Sequence, residues 1–228
     1  MNPISYFITG TDTEIGKTTV SCALVRNLVG KGLRVAVMKP VAAGASQLDG
    51  IWHNEDVDAL MHASNMNLPV SLVSPFLLRT PIAPHLAAVL DKRVIDLPHI
   101  LSCYREISRC ADAVIVEGVG GFCVPFSEST SSADLAVQLN LPVILVVGLK
   151  LGCINHALLT AEAIRARNLK LAGWIANRIE PDMPFGNENV RTLESRLNAP
   201  RLGTIPYLES FSQTDTYLNL NDLPDWPL

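Results

Sequence analysis

Glycine, lysine and hydroxyl residues stand together in Ile8-Thr9-Gly10-Thr11-Asp12-Thr13-Glu14-Ile15-Gly16-Lys17-Thr18-Thr19, which leaves a β-branched apolar run and enters a segment of helical spacing. Backbone N–H groups at a helix start are unsatisfied donors with partial positive charge. Gly16 lets backbone approach a phosphate closely, Lys17 adds a mobile point charge, and the Thr18 hydroxyl suits Mg²⁺. The chemistry implied is polyphosphate binding by a P-loop. One position departs from the general spacing Gly-x4-Gly-Lys-Thr: its first glycine falls on Thr11, and Gly10 lies one residue early.

Mg²⁺ bridging two phosphates takes further oxygen ligands. Glu117 fits, because Ala113-Val114-Ile115-Val116-Glu117-Gly118-Val119-Gly120-Gly121 ends an apolar strand on an acid and follows it with permissive backbone. An acid ending a buried strand is costly unless it is used. Asp56, in Asn54-Glu55-Asp56-Val57-Asp58, reads equally well as the acidic N-terminus of a helix. Met38-Lys39-Pro40-Val41 ends the second strand on a lysine, so two cations face one anionic site. The run Gly148-Leu149-Lys150-Leu151-Gly152-Cys153-Ile154-Asn155-His156 opens another helix whose N–H groups suit a second anion, although Asn155 serves as well as a plain N-cap. Asn177-Arg178-Ile179-Glu180 has neither the Lys nor the Asp of the guanine-reading Asn-Lys-x-Asp pattern, so GTP specificity is not supported.

Positioning these groups requires strand ends on one edge. Short β-branched runs at Ser5–Thr9, Arg34–Met38, Ala113–Val116, Val143–Val147, Leu171–Ala176 and Arg201–Ile205 suit parallel strands buried on both faces. Thr18–Val29, Leu97–Ala111 and Asn155–Arg167 have helical spacing, and in the second Leu97, Ile100, Leu101, Tyr104 and Ile107 share a face. The alternation predicts an α/β fold: an open, mostly parallel P-loop NTPase-type sheet with helices on both faces and ligands at the carboxyl ends of its strands. Residues 49–97, with four prolines, read as short helices and loops over the sheet edge.

The chain has 228 residues, 48% apolar and 18% charged, which suits one large domain over 1–228 with a polar C-terminal tail from about 209 that docks or frays. Eighteen basic against 22 acidic residues leave a net charge of −4, which excludes a nucleic-acid-coating or membrane-surface protein. The most apolar stretch, Leu141–Leu149, contains Pro142 and Gly148 and ends at Lys150, so no membrane span is expected. Neither is a signal peptide, which points to the cytoplasm. The five cysteines lack any Cys-x-x-Cys pair and the five histidines lack ligand spacing, so neither a disulfide framework nor a zinc site is indicated.

Four motifs together, the P-loop, Lys39-Pro40-Val41-Ala42, Val116-Glu117-Gly118-Val119-Gly120-Gly121 and Leu145 through His156, resemble the dethiobiotin synthetase family over Tyr6 to about Leu208. The displaced first glycine is that family's usual form. The resemblance implies that 7,8-diaminononanoate adds CO₂ (from bicarbonate) at one amine, that ATP phosphorylates the carbamate, and that the second amine closes a ureido ring with release of phosphate. It assigns Lys39 to the carbamate and transferring phosphate, Lys17 to the β- and γ-phosphates, and Thr18, Asp56 and Glu117 to Mg²⁺. It also implies ATP contacts along Glu14, Ile15, Gly16, Lys17, Thr18 and Thr19 and at Gly118, Val119 and Gly120. An adenine pocket would form at Asn177, Arg178, Pro206, Tyr207 and Leu208. Substrate contacts are implied at Thr11 and Lys39, and at Gly152, Cys153 and Asn155 across a homodimer interface.

Ala43 stands where the family usually carries Ser or Thr, so one hydroxyl near the carbamate is missing; such a bond to a charged group is worth ~1.5 to 3 kcal/mol, and Ser46 is the nearest substitute. This departure leaves a diverged paralogue open. A cobyrinic-acid amide synthase would need an added glutaminase domain. A partition or signalling switch ATPase, the reading from another class, carries a lysine where this loop has Asp12.

Overall fold

The computed structural model describes residues 3–208 and 214–227. The chain alternates as expected, running β1 (Ile4–Gly10), α1 (Lys17–Gly30), β2 (Val35–Met38), β3 (Val41–Ala43), β4 (Ser46–Leu48), β5 (Ile51–His53), α2 (Glu55–Ala63), α3 (Val70–Val73), β6 (Phe76–Leu78) and α4 (Pro84–Leu90). It continues through α5 (Leu97–Cys110), β7 (Ala113–Glu117), α6 (Ser132–Leu139), β8 (Val143–Leu149), α7 (Cys153–Arg165), β9 (Leu171–Arg178), α8 (Gly186–Arg196) and β10 (Arg201–Ile205) to a 3₁₀ turn at Thr214–Tyr217.

The six apolar runs form one parallel sheet in the order β10-β9-β8-β1-β7-β2. Continuous burial of β1, β7 and β8 reflects cover on both faces: Tyr6 and Ile8 pack with α1 residues such as Leu24 and Leu28, whereas Phe7 joins Ile100 and Ile107 of α5 on the other side. Leu145, Val147 and Leu149 meet α7 and α8 in a third cluster. From β1 the chain goes first to one side, through β2 and β7, and then to the other, through β8, β9 and β10. This reversal opens a crevice beside the end of β1, the usual ligand position in such sheets.

The predicted helices shift by one or two residues, and α5 buries Cys103 where Leu101 and Tyr104 are only half-buried. Asn155 is not an N-cap; Gly152 caps α7. The irregular stretch forms a β3–β6 pair, a β4–β5 hairpin and helices α2 to α4. Among the described residues no helix is long and apolar enough to cross a membrane.

The tail docks. Residues 209–213 lie outside the described residues, but Leu220, Leu223 and Trp226 are buried in the same cluster as Tyr6, and Leu218 bridges to Gly203. A Cβ on Gly203 would lie 2.3 Å from the Tyr217 carbonyl oxygen, so this approach needs glycine. The Tyr6 hydroxyl donates to the Pro224 carbonyl, and burial, then the Asp225 carboxylate, push its phenol above the ordinary value. Trp226→Ala is expected to cost about 3 kcal/mol or more of stability, read by urea unfolding; a tail that contributes nothing would leave the midpoint unchanged.

Candidate active site

The phosphate loop is shaped by local backbone constraints. Gly16, with φ 84°, precedes α1 in the left-handed region, and a Cβ there would lie 2.1 Å from Asn177 Nδ2. That amide nitrogen, brought by the end of β9, donates to the Ile15 carbonyl at 2.9 Å. Glu14 also has positive φ, 57°, an uncommon state for a residue with a side chain. Ile15 is fully buried and its side chain fills the space above Gly148, so only its backbone is available to a ligand. No side chain caps the first N–H groups of α1, which leaves donors for an anion.

Four strand or helix ends converge beside this loop. The Lys39 ammonium lies 2.8 Å from Asp56 Oδ2 and 2.5 Å from Glu117 Oε1. The Thr18 hydroxyl oxygen is 2.7 Å from Asp56 Oδ1 and 2.9 Å from Glu117 Oε1. Glu117 is 0% exposed and Lys39 only 2%. Asp56 is brought in by Asn54, which caps α2 by accepting from the Val57 N–H and ties that helix start to the Ala43 carbonyl through Nδ2. Both readings of the acidic segment therefore hold at once: it begins a helix, and it aims a carboxylate at Thr18 and Lys39.

Electrostatics follow from burial and pairing. Burial pushes the Lys17 ammonium down to about 8, and Lys39 pushes the same way against the nearby carboxylates. Lys39 feels strong burial too, yet Glu117 and Asp56 outweigh it and hold its ammonium above the ordinary lysine value. For Asp56, Lys39 and the Thr18 hydroxyl outweigh desolvation and hold the carboxyl below the usual range.

The donor set suits a hard divalent cation. Glu117 Oε2 is buried without a hydrogen-bond partner, and the single Thr18 proton cannot satisfy both carboxylate oxygens that approach it. Two carboxylates and a hydroxyl match the oxygen ligation of Mg²⁺. Among the described residues no group of three or more His, Cys, Asp and Glu is placed to hold a metal ion.

An open cleft of about 1680 Å³ brings together Glu14, Gly16, Lys17, Thr18, Thr19, Lys39, Asp56, Val119 and Gly120. Sequence reading does not find its other wall, where Gln47, His53 and Pro81 lie; their short elements carry no periodic signal. Ala43 and Ser46 both line the cleft. Thr11, Gly118, Asn177, Arg178, Pro206, Tyr207 and Leu208 lie outside this lining: Thr11 donates its N–H to Val146, Gly118 packs on Ile8 and Phe7, and Arg178 donates to Asn187. Pro206–Leu208 follow β10, beside the end of β9 that carries Asn177. Gly152, Cys153 and Asn155 open α7, also outside the cleft, with Cys153 buried and Asn155 exposed.

Solved structures sharing the fold include MinD of Aquifex aeolicus (TM-score 0.57, 16% identity, 95% of this chain and 88% of that one). A ParA family ATPase of Chlorobium tepidum TLS is also similar (TM-score 0.57, 15% identity, 91% and 85%). The signal recognition particle receptor FtsY of Elizabethkingia anophelis matches 97% of this chain, which spans 62% of that longer protein (TM-score 0.53, 16% identity). At such identities these likenesses establish the P-loop fold alone. A family model described as an AAA domain matches residues 5–215. The ATP-dependent dethiobiotin synthetase BioD of Janthinobacterium sp. (strain Marseille) is 52% identical over 227 residues, 97% of this chain and 96% of the relative. With a phosphate loop, a buried lysine and two carboxylates arranged on that fold, and with half of all residues shared end to end, the chain belongs to the ATP-dependent dethiobiotin synthetase family.

Proposed function

We propose that this protein uses ATP and Mg²⁺ to close the ureido ring of dethiobiotin from 7,8-diaminononanoate and CO₂. The observation that carries this reading is the buried Lys39 ammonium, held between Asp56 and Glu117 beside the phosphate loop. A lysine buried to this extent needs a function or a compensating network, and this one lines the same cleft as Gly16, Lys17 and Thr18.

The amine that takes up CO₂ becomes a carbamate. A carbamate oxygen attacks the γ-phosphorus, the bond from that phosphorus to the bridging oxygen breaks, and ADP leaves. In the resulting carbamic-phosphoric anhydride the second amine attacks the carbamoyl carbon, the C–O bond to phosphate breaks, and inorganic phosphate departs as the amines lose their protons. Both reacting partners are anionic, so the protein's part is positioning and charge neutralisation. Lys17 holds the β- and γ-phosphates, with backbone N–H groups from Glu14 to Thr19 around them. Lys39 holds the carbamate oxygen and the equatorial phosphoryl oxygens, where charge accumulates. Thr18, Asp56 and Glu117 would hold Mg²⁺, which would supply further charge neutralisation when bound.

The adenine is read at Asn177, Arg178 and Pro206–Leu208, and Gly118 to Gly120 line the approach of nucleotide and substrate. The diamine is also read at Thr11, and its far carboxylate at Gly152, Cys153 and Asn155 across the interface with a second copy of the chain. In support of a homodimer, Leu151 beside Gly152 is 96% exposed and Leu159 on α7 is exposed as well. A metabolic enzyme of this kind keeps its dimer without nucleotide, which sedimentation can measure; dimerisation only on ATP would favour a switch. The described cysteines are all free, consistent with a cytoplasmic site of action.

The deciding experiment is ADP release assayed with each substrate omitted. ADP should form only when diamine and bicarbonate are both present. Equal ADP formation without the diamine would overturn the reading.

A further inference from the structure

Lys17 and Lys39 have roles in the site; Lys150, which follows β8, has none so far. Its Nζ lies 2.8 Å from Asp12 Oδ2, with the two side chains 31% and 44% exposed. A pair this open adds little to stability. What it fixes is geometry, because Asp12 is a junction. The Lys17 ammonium donates to the Asp12 carbonyl at 3.1 Å, the Thr13 N–H donates to Asp12 Oδ1 at 2.9 Å, and Lys150 occupies Oδ2. On the far side, the Lys150 carbonyl accepts from the N–H of Cys153, the first residue of α7, at 3.0 Å. The two loops leave the sheet side by side, since β1 and β8 are neighbours and the Thr11 N–H donates to Val146 at 3.0 Å. Lys150, and then the Thr13 N–H, hold Asp12 below the usual carboxylate range, so the junction stays charged.

We propose that Asp12 and Lys150 form a positioning pair that ties the phosphate loop to the entrance of α7, so that nucleotide on Lys17 and an anionic group at the start of α7 favour each other's binding. The second half rests on reading the α7 entrance as the carboxylate end of the diamine site across the homodimer interface, so that the coupling runs between the two protomers' sites. Of its three N–H donors Lys17 gives one to the Asp12 carbonyl, which leaves two for a phosphate. Asp12 is itself held through Thr13 and Lys150, so the loop keeps its shape as phosphate arrives. Without Lys150, the Asp12 carboxylate is an unbalanced negative charge beside an incoming polyphosphate, and α7 loses its link to the loop. This pairing also gives a physical reason for an aspartate, not a lysine, at this place in the loop.

The test uses the full chain with Lys150→Ala, Lys150→Arg and Asp12→Asn. A non-hydrolysable ATP analogue should bind the unmodified protein at least about 5-fold more tightly with diamine present. In Lys150→Ala that factor should fall to about 1 and the diamine KM should rise about tenfold, more than kcat falls, while the melting temperature stays within about 2 °C. Lys150→Arg should restore most of the factor, and a factor unchanged in Lys150→Ala overturns the proposal. Hydrogen exchange reads the link without any diamine: the analogue alone should slow exchange in residues 10–19 and 150–156, and Lys150→Ala should keep the first effect and lose the second. Undiminished protection of 150–156 in Lys150→Ala overturns the pair. If the diamine is not used at all, while the unmodified protein transmits protection and Lys150→Ala does not, the pair stands and the substrate reading falls.

Discussion

Lys39→Ala is expected to lower kcat by about two to three orders of magnitude, the usual cost of removing a preorganised charge from the transition state, while nucleotide affinity changes only a few-fold. Lys17→Ala should damage both, because in the proposed mechanism its ammonium serves bound phosphate in ground and transition states alike. Equal loss of nucleotide affinity in the two variants would contradict this division. Lys39→Ala carries a second consequence, because Glu117 is wholly buried and Lys39 is its cationic partner. Removing one member of a buried pair strands the other, at about 3 to 5 kcal/mol. The single variant should therefore melt well below the parent. Lys39→Ala with Glu117→Gln removes both charges and should recover much of that stability with no recovery of turnover. Recovery of both would mean that Lys39 serves only to neutralise Glu117.

Legibility in the sequence followed physical redundancy. The central strands were readable because cover on both faces leaves no polar alternation: β7 is five buried residues, and β8 seven. The phosphate loop was readable because glycine, lysine and threonine each answer a separate demand of one ligand. The small pairs β3–β6 and β4–β5 were not, since three-residue strands are too short for any period and β4 is fully exposed. The signal for α6 is a capping box, with Ser131 and Asp134 bonding each other's backbone, a pattern that four adjacent small and acidic residues disguise as a loop.

Asp56 was ambiguous for a different reason. A helix start and a cation site both favour a carboxylate, so residue type alone cannot separate them, and only the fold brings its Oδ1 within 2.7 Å of a threonine 38 positions earlier in the chain. The Asp12–Lys150 contact spans 138 positions. Both residues lay inside recognised motifs, yet their pairing depends on β1 and β8 being sheet neighbours, which no local pattern states.

Glu117→Gln should raise the Mg²⁺ concentration for half-maximal activity by about tenfold or more, since even groups one step removed from a metal typically cost 10- to 100-fold in affinity when altered. The substitution keeps volume and removes charge, so the core around β7 has little to repack. It also puts an amide where Glu117 Oε1 accepts from Lys39 and Oε2 has no partner. An amide nitrogen cannot donate to Lys39, so the Gln oxygen must turn toward the ammonium and the NH₂ group must take the Oε2 position. That position then offers a donor, which repels a cation, where the carboxylate offered a lone pair. Asp56→Asn should show a smaller shift, because Asp56 is partly exposed and water can substitute for it. A Mg²⁺ titration unchanged in Glu117→Gln would remove Glu117 from the metal shell and leave it as the buried counter-charge of Lys39 alone.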